Sequence, residues 1–255
     1  MTCIRGDSFF WQYLHSSPLV KEYFRFYSAH GLWPHPYIRM TGSFDDYMQK
    51  FSSKERNNFS RRRRMLREQG AVELIRVTEE ADVDSFVDAA AEVSRKSYQF
   101  RTLGHGIRNP DQFKDWVKWA ARQGWLRSYL MKCGGVPCAF QVAYQYERRF
   151  LGMEVGYDSA WRQLGVGITQ QLLALEDLFK DNKPGICDFG TYAEYKDTFG
   201  NEAYSDALVW LFRRRTYPLF ALHSYRLSMA TAKGAGNVLR RVNLKSKVKR
   251  LLQRK

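Results

Sequence analysis

The chain has 255 residues, 44% hydrophobic and 15% aromatic, a composition that suits one large domain or two small ones with a substantial core and excludes disorder. The formal charge is +15, yet Arg213–Lys255 holds 13 basic residues and no acid follows Asp206, so the preceding part is near +2. No apolar run reaches the ~18 residues of a spanning helix, no basic-then-apolar leader opens the chain, and Cys3, Cys133, Cys138 and Cys187 lack the paired spacing of a zinc site, which fits a reduced, cytoplasmic protein.

Residues 1–43 read as an aromatic-rich N-terminal extension or remnant. Phe9, Phe10, Tyr13 and Leu14 suggest a helix, Trp33-Pro34-His35-Pro36 a loop, and Tyr37–Met40 a short strand. Ser43 with Asp46 three residues on forms a capping box at the start of the next helix. A second helix runs from Ser53 to Gln69 and stops at Gly70. It carries Arg56, Arg61, Arg62, Arg63, Arg64 and Arg67. Each helical step turns ~100°, so four consecutive arginines cannot share a face. They form either a solvated cationic surface around Phe59 and Leu66 or a guide for a phosphorylated ligand, RNA or anionic glycan.

A strand follows at Val72–Val77, then an amphipathic helix over Glu79–Ser97 with Val83, Phe86, Val87, Ala90 and Val93 inward. A loop through His105 separates it from a helix at Asp111–Gln123. His105 has the titration range of a general base, but a histidine between two glycines is also an ordinary loop residue. Three strands come next, Leu126–Lys132, Val136–Tyr146 and Arg149–Val155, joined by Gly134-Gly135 and Glu147-Arg148.

After the third strand and a turn comes Arg162-Gln163-Leu164-Gly165-Val166-Gly167, and Ile168 begins an apolar helical stripe continued by Leu172, Leu175 and Phe179. Glycines at a strand-to-helix turn let backbone N–H groups approach a ligand, and the helix start adds partial positive charge. Together they make an anion site, best suited to a pyrophosphate; an ordinary turn relieved by its glycines is the alternative. A strand at Gly185–Phe189, a short helix at Ala193–Phe199 and a strand at Ala203–Phe212 complete the body, residues 44–212. Residues 213–255 form a basic helical tail, interrupted at Pro218 and at Gly234/Gly236, with Leu244, Val248, Leu251 and Leu252 on one side. It packs as a terminal helix, lies on an anionic membrane or grips RNA.

Arg162-x-x-Gly165-x-Gly167 resembles the acyl-CoA pyrophosphate loop of the GNAT acyltransferases. Asp188-Phe189-Gly190 followed by Tyr195-Lys196-x-x-Phe199-Gly200 resembles one branch of that superfamily, the acetyltransferase-like proteins associated with cellulose and exopolysaccharide synthesis, and their relatives, the Fem-type aminoacyltransferases. The arginine helix and the Ser97-Tyr98-Gln99 segment match weaker features, Tyr98 and Gln99 departing from a Ser-Trp-Lys pattern. The resemblance spans Phe44 to Trp210. It implies an α/β fold with a mixed, largely antiparallel sheet and helices on both faces, and a donor, acetyl-CoA or another acyl-CoA, held by Arg162, Gln163, Leu164, Gly165, Val166, Gly167 and Ile168.

For catalysis the resemblance puts Glu154 where many GNAT enzymes hold a carboxylate base, the alternative being an outward strand residue. It puts Lys196 at the lysine that helps hold the acyl donor in the Fem-type relatives, the alternative being a surface lysine paired with Glu194 or Asp197. Asp188 ends an apolar strand, where a carboxylate needs a specific partner. Tyr192 or Tyr195 is placed to protonate a leaving thiolate, and nothing points to a metal. The expected activity is N- or O-acylation, in the simplest case acetylation, of a sugar or cell-envelope polysaccharide precursor, in the cytoplasm or peripheral to the inner membrane. The rivals are an aminoacyl-tRNA-dependent transferase, which the basic tail suits and Arg162–Gly167 does not, and a non-catalytic module of polysaccharide export.

Overall fold

A computed structural model describes residues 2–28, 31–181, 184–190 and 195–241. In chain order the elements begin with β1 (Thr2–Arg5), α1 (Phe9–Ser16), α2 (Pro18–Tyr23), β2 (Phe24–Ser28) and β3 (Trp33–Arg39). Then come α3 (Phe44–Met48), α4 (Ser53–Arg67), β4 (Val72–Val77), α5 (Val83–Lys96), α6 (Pro110–Arg122), β5 (Ser128–Cys133), β6 (Val136–Tyr146) and β7 (Arg149–Tyr157). The last are α7 (Val166–Lys180), β8 (Ile186–Asp188), α8 (Tyr195–Phe199), β9 (Glu202–Arg213) and α9 (Thr216–Arg241). They fall into two units, Pro36–Glu202 and the paired chain ends Met1–His35 with Ala203–Lys255.

In the larger unit the strand order is β3-β8-β7-β6-β5-β4. Every neighbouring pair is antiparallel except β7 and β8, which run parallel. The alternation of side chains along a strand feeds two cores. Phe140 and Val142 point into a cluster with Val83, Phe86, Val87 and Val117, under α5 and α6. Ala143 of the same strand joins Phe150, Phe59, Ala174, Leu175 and Leu178, under α3, α4 and α7. This is the expected mixed, largely antiparallel sheet with helices on both faces.

Capping decides where the helices on the second face begin. Ser43 and Asp46 form a reciprocal capping box for α3, and Ser52 and Glu55 form another for α4. Phe59 and Leu66 are the buried residues of α4, as their spacing suggested. Helix α7 departs from its simple apolar stripe, because Thr169, Gln170 and Gln171 are also buried. At its far end Arg127, itself buried, donates to Asp177 Oδ2 at 2.9 Å and to the Asp181 carbonyl at 2.8 Å, tying α7 to the sheet.

In the smaller unit β1 and β2 both pair antiparallel with β9, and Ile4, Leu14, Val20, Ala207 and Val209 form its core. Two expectations fail here. Trp33–Pro36 is strand rather than loop, because the fixed φ of proline is compatible with extended backbone when its missing N–H is not required by the ladder. Helix α9 runs unbroken through Pro218 and the two glycines. Pro218 sits in the first turn, where no intrahelical acceptor awaits its N–H. The expected tail stripe from Leu244 onward lies outside the described residues.

Candidate active site

Strands β7 and β8 pair only over Arg149–Leu151 and Ile186–Asp188, after which β7 continues to Tyr157 alone on that side. An opening between two parallel strands leaves backbone and side chains available to a ligand. A bulge lies on the other edge of β7, where Glu154 pairs with Val142 and Gly152 with Ala143, so Met153 is the extra residue and the strand bends.

From Tyr157 the chain enters a tight helical turn, Ser159–Leu164, whose first N–H is capped by Asp158, Oδ1 accepting from Ala160 N at 2.9 Å. Gly165 then takes a left-handed conformation, φ 70° and ψ 34°, and opens α7. Among the described residues no side chain caps this helix, which leaves the N–H groups of its first turn with the partial positive charge of a helix start. Its positive φ favours glycine here, and a Cβ would lie 2.5 Å from Arg62 Cδ, so the Arg62 side chain would have to move aside.

These pieces surround a cavity of about 650 Å³ lined by Gly165–Ile168, Arg162, Arg62, Val155–Tyr157 and Phe199, among others. Gln163 also lines it, while Leu164 does not and instead packs beside Val166 and Leu66. Gln170 and Gln171 face the cavity from the next turn of α7. Gln170 donates to Gln141 Oε1 at 3.4 Å, whereas the buried Gln171 Nε2 has no partner. An uncapped helix start, two arginines and unspent amide donors are a donor set for a polyanion with an amide-bearing arm, and the residues present therefore fit a coenzyme A ester.

Two other expected residues, Asp188 and Lys196, lie at the end of β8. Asp188 is 4% exposed and its Oδ1 accepts from Gly190 N at 2.8 Å. Lys196 is 5% exposed, which excludes the surface alternative, and its Nζ donates to the Phe189 carbonyl. Burial lowers the Lys196 pKa to about 8, and the Asp188 charge acts against that fall. Asp188 and Lys196 thus meet at the end of β8. Neither lines the cavity, but Phe199, one turn after Lys196 on α8, does. Helix α8 is held by Lys50, whose ammonium donates to the carbonyls of Thr198, Phe199 and Gly200 at 2.9, 2.9 and 2.5 Å, and by Tyr47, whose hydroxyl donates to Phe199 O at 2.7 Å.

Glu154 is half-buried on β7. Burial raises its carboxyl pKa, opposed by the neighbouring His105. The two are close enough to interact although His105 sits in an exposed loop, a pairing that the sequence did not suggest. Glu154 does not line the cavity; its neighbour Val155 does. Tyr192 lies outside the described residues, as do Glu194 and the side chain of Tyr195. The sequence reading also missed Arg62 as a cavity residue and the pair Gln170 and Gln171, which periodicity placed on no recognisable face.

A short parallel strand pair in a mostly antiparallel sheet, a glycine turn and an uncapped helix start define the α/β class of this protein. The acetyltransferase (GNAT) domain family matches residues 53–206, and the chain belongs to that family. It is therefore an acetyltransferase-domain enzyme, and acyl-CoA is the donor its family implies. A conserved protein of unknown function from Bacteroides thetaiotaomicron VPI-5482 has the same fold, with a TM-score of 0.51 at 13% identity over 81% of this chain and 69% of that one. L-PGS from Bacillus licheniformis is similar over 81% of this chain and 67% of that one, with a TM-score of 0.49 and 12% identity. A GCN5-related N-acetyltransferase from Ralstonia eutropha JMP134 matches 50% of this chain and 88% of its own, with a TM-score of 0.37 and 16% identity. No curated protein matches the chain in sequence.

Proposed function

We propose that the protein transfers an acyl group, in the simplest case acetyl, from coenzyme A to an amine or hydroxyl of a sugar or cell-envelope polysaccharide precursor. The observation that carries this reading is the cavity in which Arg162, Gln163 and the uncapped turn Gly165–Ile168 line one space with Val155–Tyr157 at the end of β7. The donor's phosphates rest on the N–H groups of that turn, and its arm runs along Val155–Tyr157 toward Phe199.

The bond broken is the thioester C–S bond, and the bond formed joins the acyl carbon to the acceptor nitrogen or oxygen. The acceptor's proton goes to Glu154, whose raised pKa brings it nearer to that of a useful base. Lys196, cationic below about pH 8, offsets charge developing on the acyl oxygen in a partly desolvated site. Asp188 holds that ammonium in place. Tyr192 is assigned the proton of the leaving thiolate from its sequence position alone.

A thermal-shift screen with acetyl-CoA, longer acyl-CoAs and charged tRNA tests the donor. Stabilisation by an acyl-CoA and not by tRNA is expected, and the opposite pattern would transfer the protein to the aminoacyl-tRNA reading. The working place is cytoplasmic and peripheral to an anionic membrane. Tyr217, Phe220 and Leu227 stand exposed on α9, and the chain after Asp206 is purely basic, a pairing suited to a lipid surface. No helix among the described residues is long and apolar enough to cross a membrane. Binding to phosphatidylglycerol vesicles that falls steeply between low and physiological salt is expected; binding indifferent to salt and lipid charge would remove this partner.

A further inference from the structure

Arg62 lies on α4, far in sequence from the glycine turn, yet its side chain lies over that turn. A Cβ at Gly165 would meet Arg62 Cδ at 2.5 Å and Nη1 at 2.7 Å. The same guanidinium lines the cavity with Arg162 and Gly165–Ile168. Its neighbours on α4 are otherwise engaged or turned away. Arg63 faces Glu176 at 3.5 Å, Arg64 faces Glu68 at 3.8 Å, Arg56 donates to the Phe51 carbonyl, and Arg61 donates to Asn58 at 3.2 Å. Arg62 makes a single long contact, Nε to Asn58 Oδ1 at 3.4 Å, which leaves its Nη groups without a protein acceptor among the described residues.

A partly buried guanidinium needs a hydrogen-bonding partner, and here the open direction is the cavity. We propose that Arg62 is a second ligand for the donor's phosphates, closing over the glycine turn from the opposite side so that the polyanion is held between a helix start and an arginine fork. The proposal rests on the reading of this cavity as the acyl-CoA site. A planar guanidinium whose two Nη groups are open can engage two phosphate oxygens at once, which lysine cannot do. The stem is fixed by the helix that carries it. Leu66, one turn on, is fully buried, and the Ser52–Glu55 box pins the start of α4. The arginine run is thus divided by helical geometry, with Arg61, Arg64 and Arg67 exposed and Arg62 serving the ligand.

The clamp commits the site to a donor that carries phosphates, as opposed to a bare acyl-pantetheine arm. Calorimetry with the full chain tests this, using acetyl-CoA and S-acetylpantetheine, which share the arm and differ in the phosphates. Arg62→Ala is expected to lose roughly 10- to 100-fold in acetyl-CoA affinity, the range for a hydrogen bond to a charged group. S-acetylpantetheine affinity should not change, and Arg62→Lys should recover part of the loss. Raising salt should weaken the parent more than Arg62→Ala. If Arg62→Ala fails to fold, Arg62→Gln, which keeps the length and removes the charge, takes its place. Equal acetyl-CoA affinity in parent and variant would overturn the clamp while leaving the donor reading intact. Equal losses for both ligands would make Arg62 a structural residue and also overturn it. A parent that binds no acetyl-CoA would remove the donor reading and the clamp together.

Discussion

The two ends of the candidate site are built on opposite principles. The end proposed for the phosphates is made mainly of backbone, a left-handed glycine and the uncapped start of α7, with two arginines lining it. The Asp188–Lys196 end is made of buried titratable side chains, the carboxylate held by the Gly190 N–H, the ammonium by the Phe189 carbonyl, and both by each other's charge. A backbone site tolerates pH and fails when bulk is added. A side-chain site tolerates neighbours and fails when one proton or one charge is lost.

The largest expected effect belongs to the side-chain end. Lys196→Met keeps the stem and removes the charge, and should lower turnover roughly 100-fold or more while acetyl-CoA affinity, read by calorimetry, stays near that of the parent. Unchanged turnover with an identified acceptor would make this end merely structural and dissolve the contrast.

Gly165→Val tests the backbone end in the complementary way. Acetyl-CoA affinity should fall roughly tenfold or more, from loss of contacts worth about 1.5–3 kcal/mol, with turnover at saturating donor little changed. A left-handed valine should also cost about 1–2 kcal/mol in folding stability, visible in denaturant melts. A loss of turnover without a loss of affinity would exchange the roles of the two ends.

The pH response should separate them further. The Lys196 pKa is lowered to about 8 in the fold, against a value of 10.5 for an unburied lysine. The cost of burying its charge is therefore fully present below about pH 8 and is relieved as pH rises toward 10.5. The parent should gain stability relative to Lys196→Met across that window, while turnover declines above about pH 8 as the ammonium is lost. On the acid side, turnover should rise with pH through a value above the usual carboxylate range, set by burial of Glu154, and Glu154→Gln should abolish that limb. A flat profile from neutral to alkaline pH would deny Lys196 a charged role.

The smallest effect probes the support of the phosphate end. Ser52→Ala removes the capping box of α4 and should cost about 1 kcal/mol in stability. Its effect on acetyl-CoA affinity should be slight, since Leu66 and the packing of α4 still position Arg62.

The glycine turn that opens α7 was legible because everything that forms it is local: two glycines, a strand before them and an apolar stripe after them, within a few residues of chain. Strand and helix positions in the larger unit were legible for the same reason, period 2 and period 3.6 being properties of short segments. Trp33–Pro36 and Pro218 misled because the effect of proline depends on whether an N–H is needed at that point, which neighbours in space decide. The buried Thr169, Gln170 and Gln171 escaped for a related reason, since polar residues look outward until something occupies the other side.

By itself, then, the sequence determined the order of elements, the capped start of α3, and the glycine turn that opens α7. Only the tertiary structure decided which arginine of α4 leans over Gly165, that the charge of His105 reaches Glu154, and that Lys196 is buried at the end of β8 and not displayed on a surface helix. Periodicity says which residues share a face and is silent on what that face meets. The desolvation and neighbouring charges that change an ionisable group's chemistry come from segments distant in the chain, and they exist only once the chain has folded.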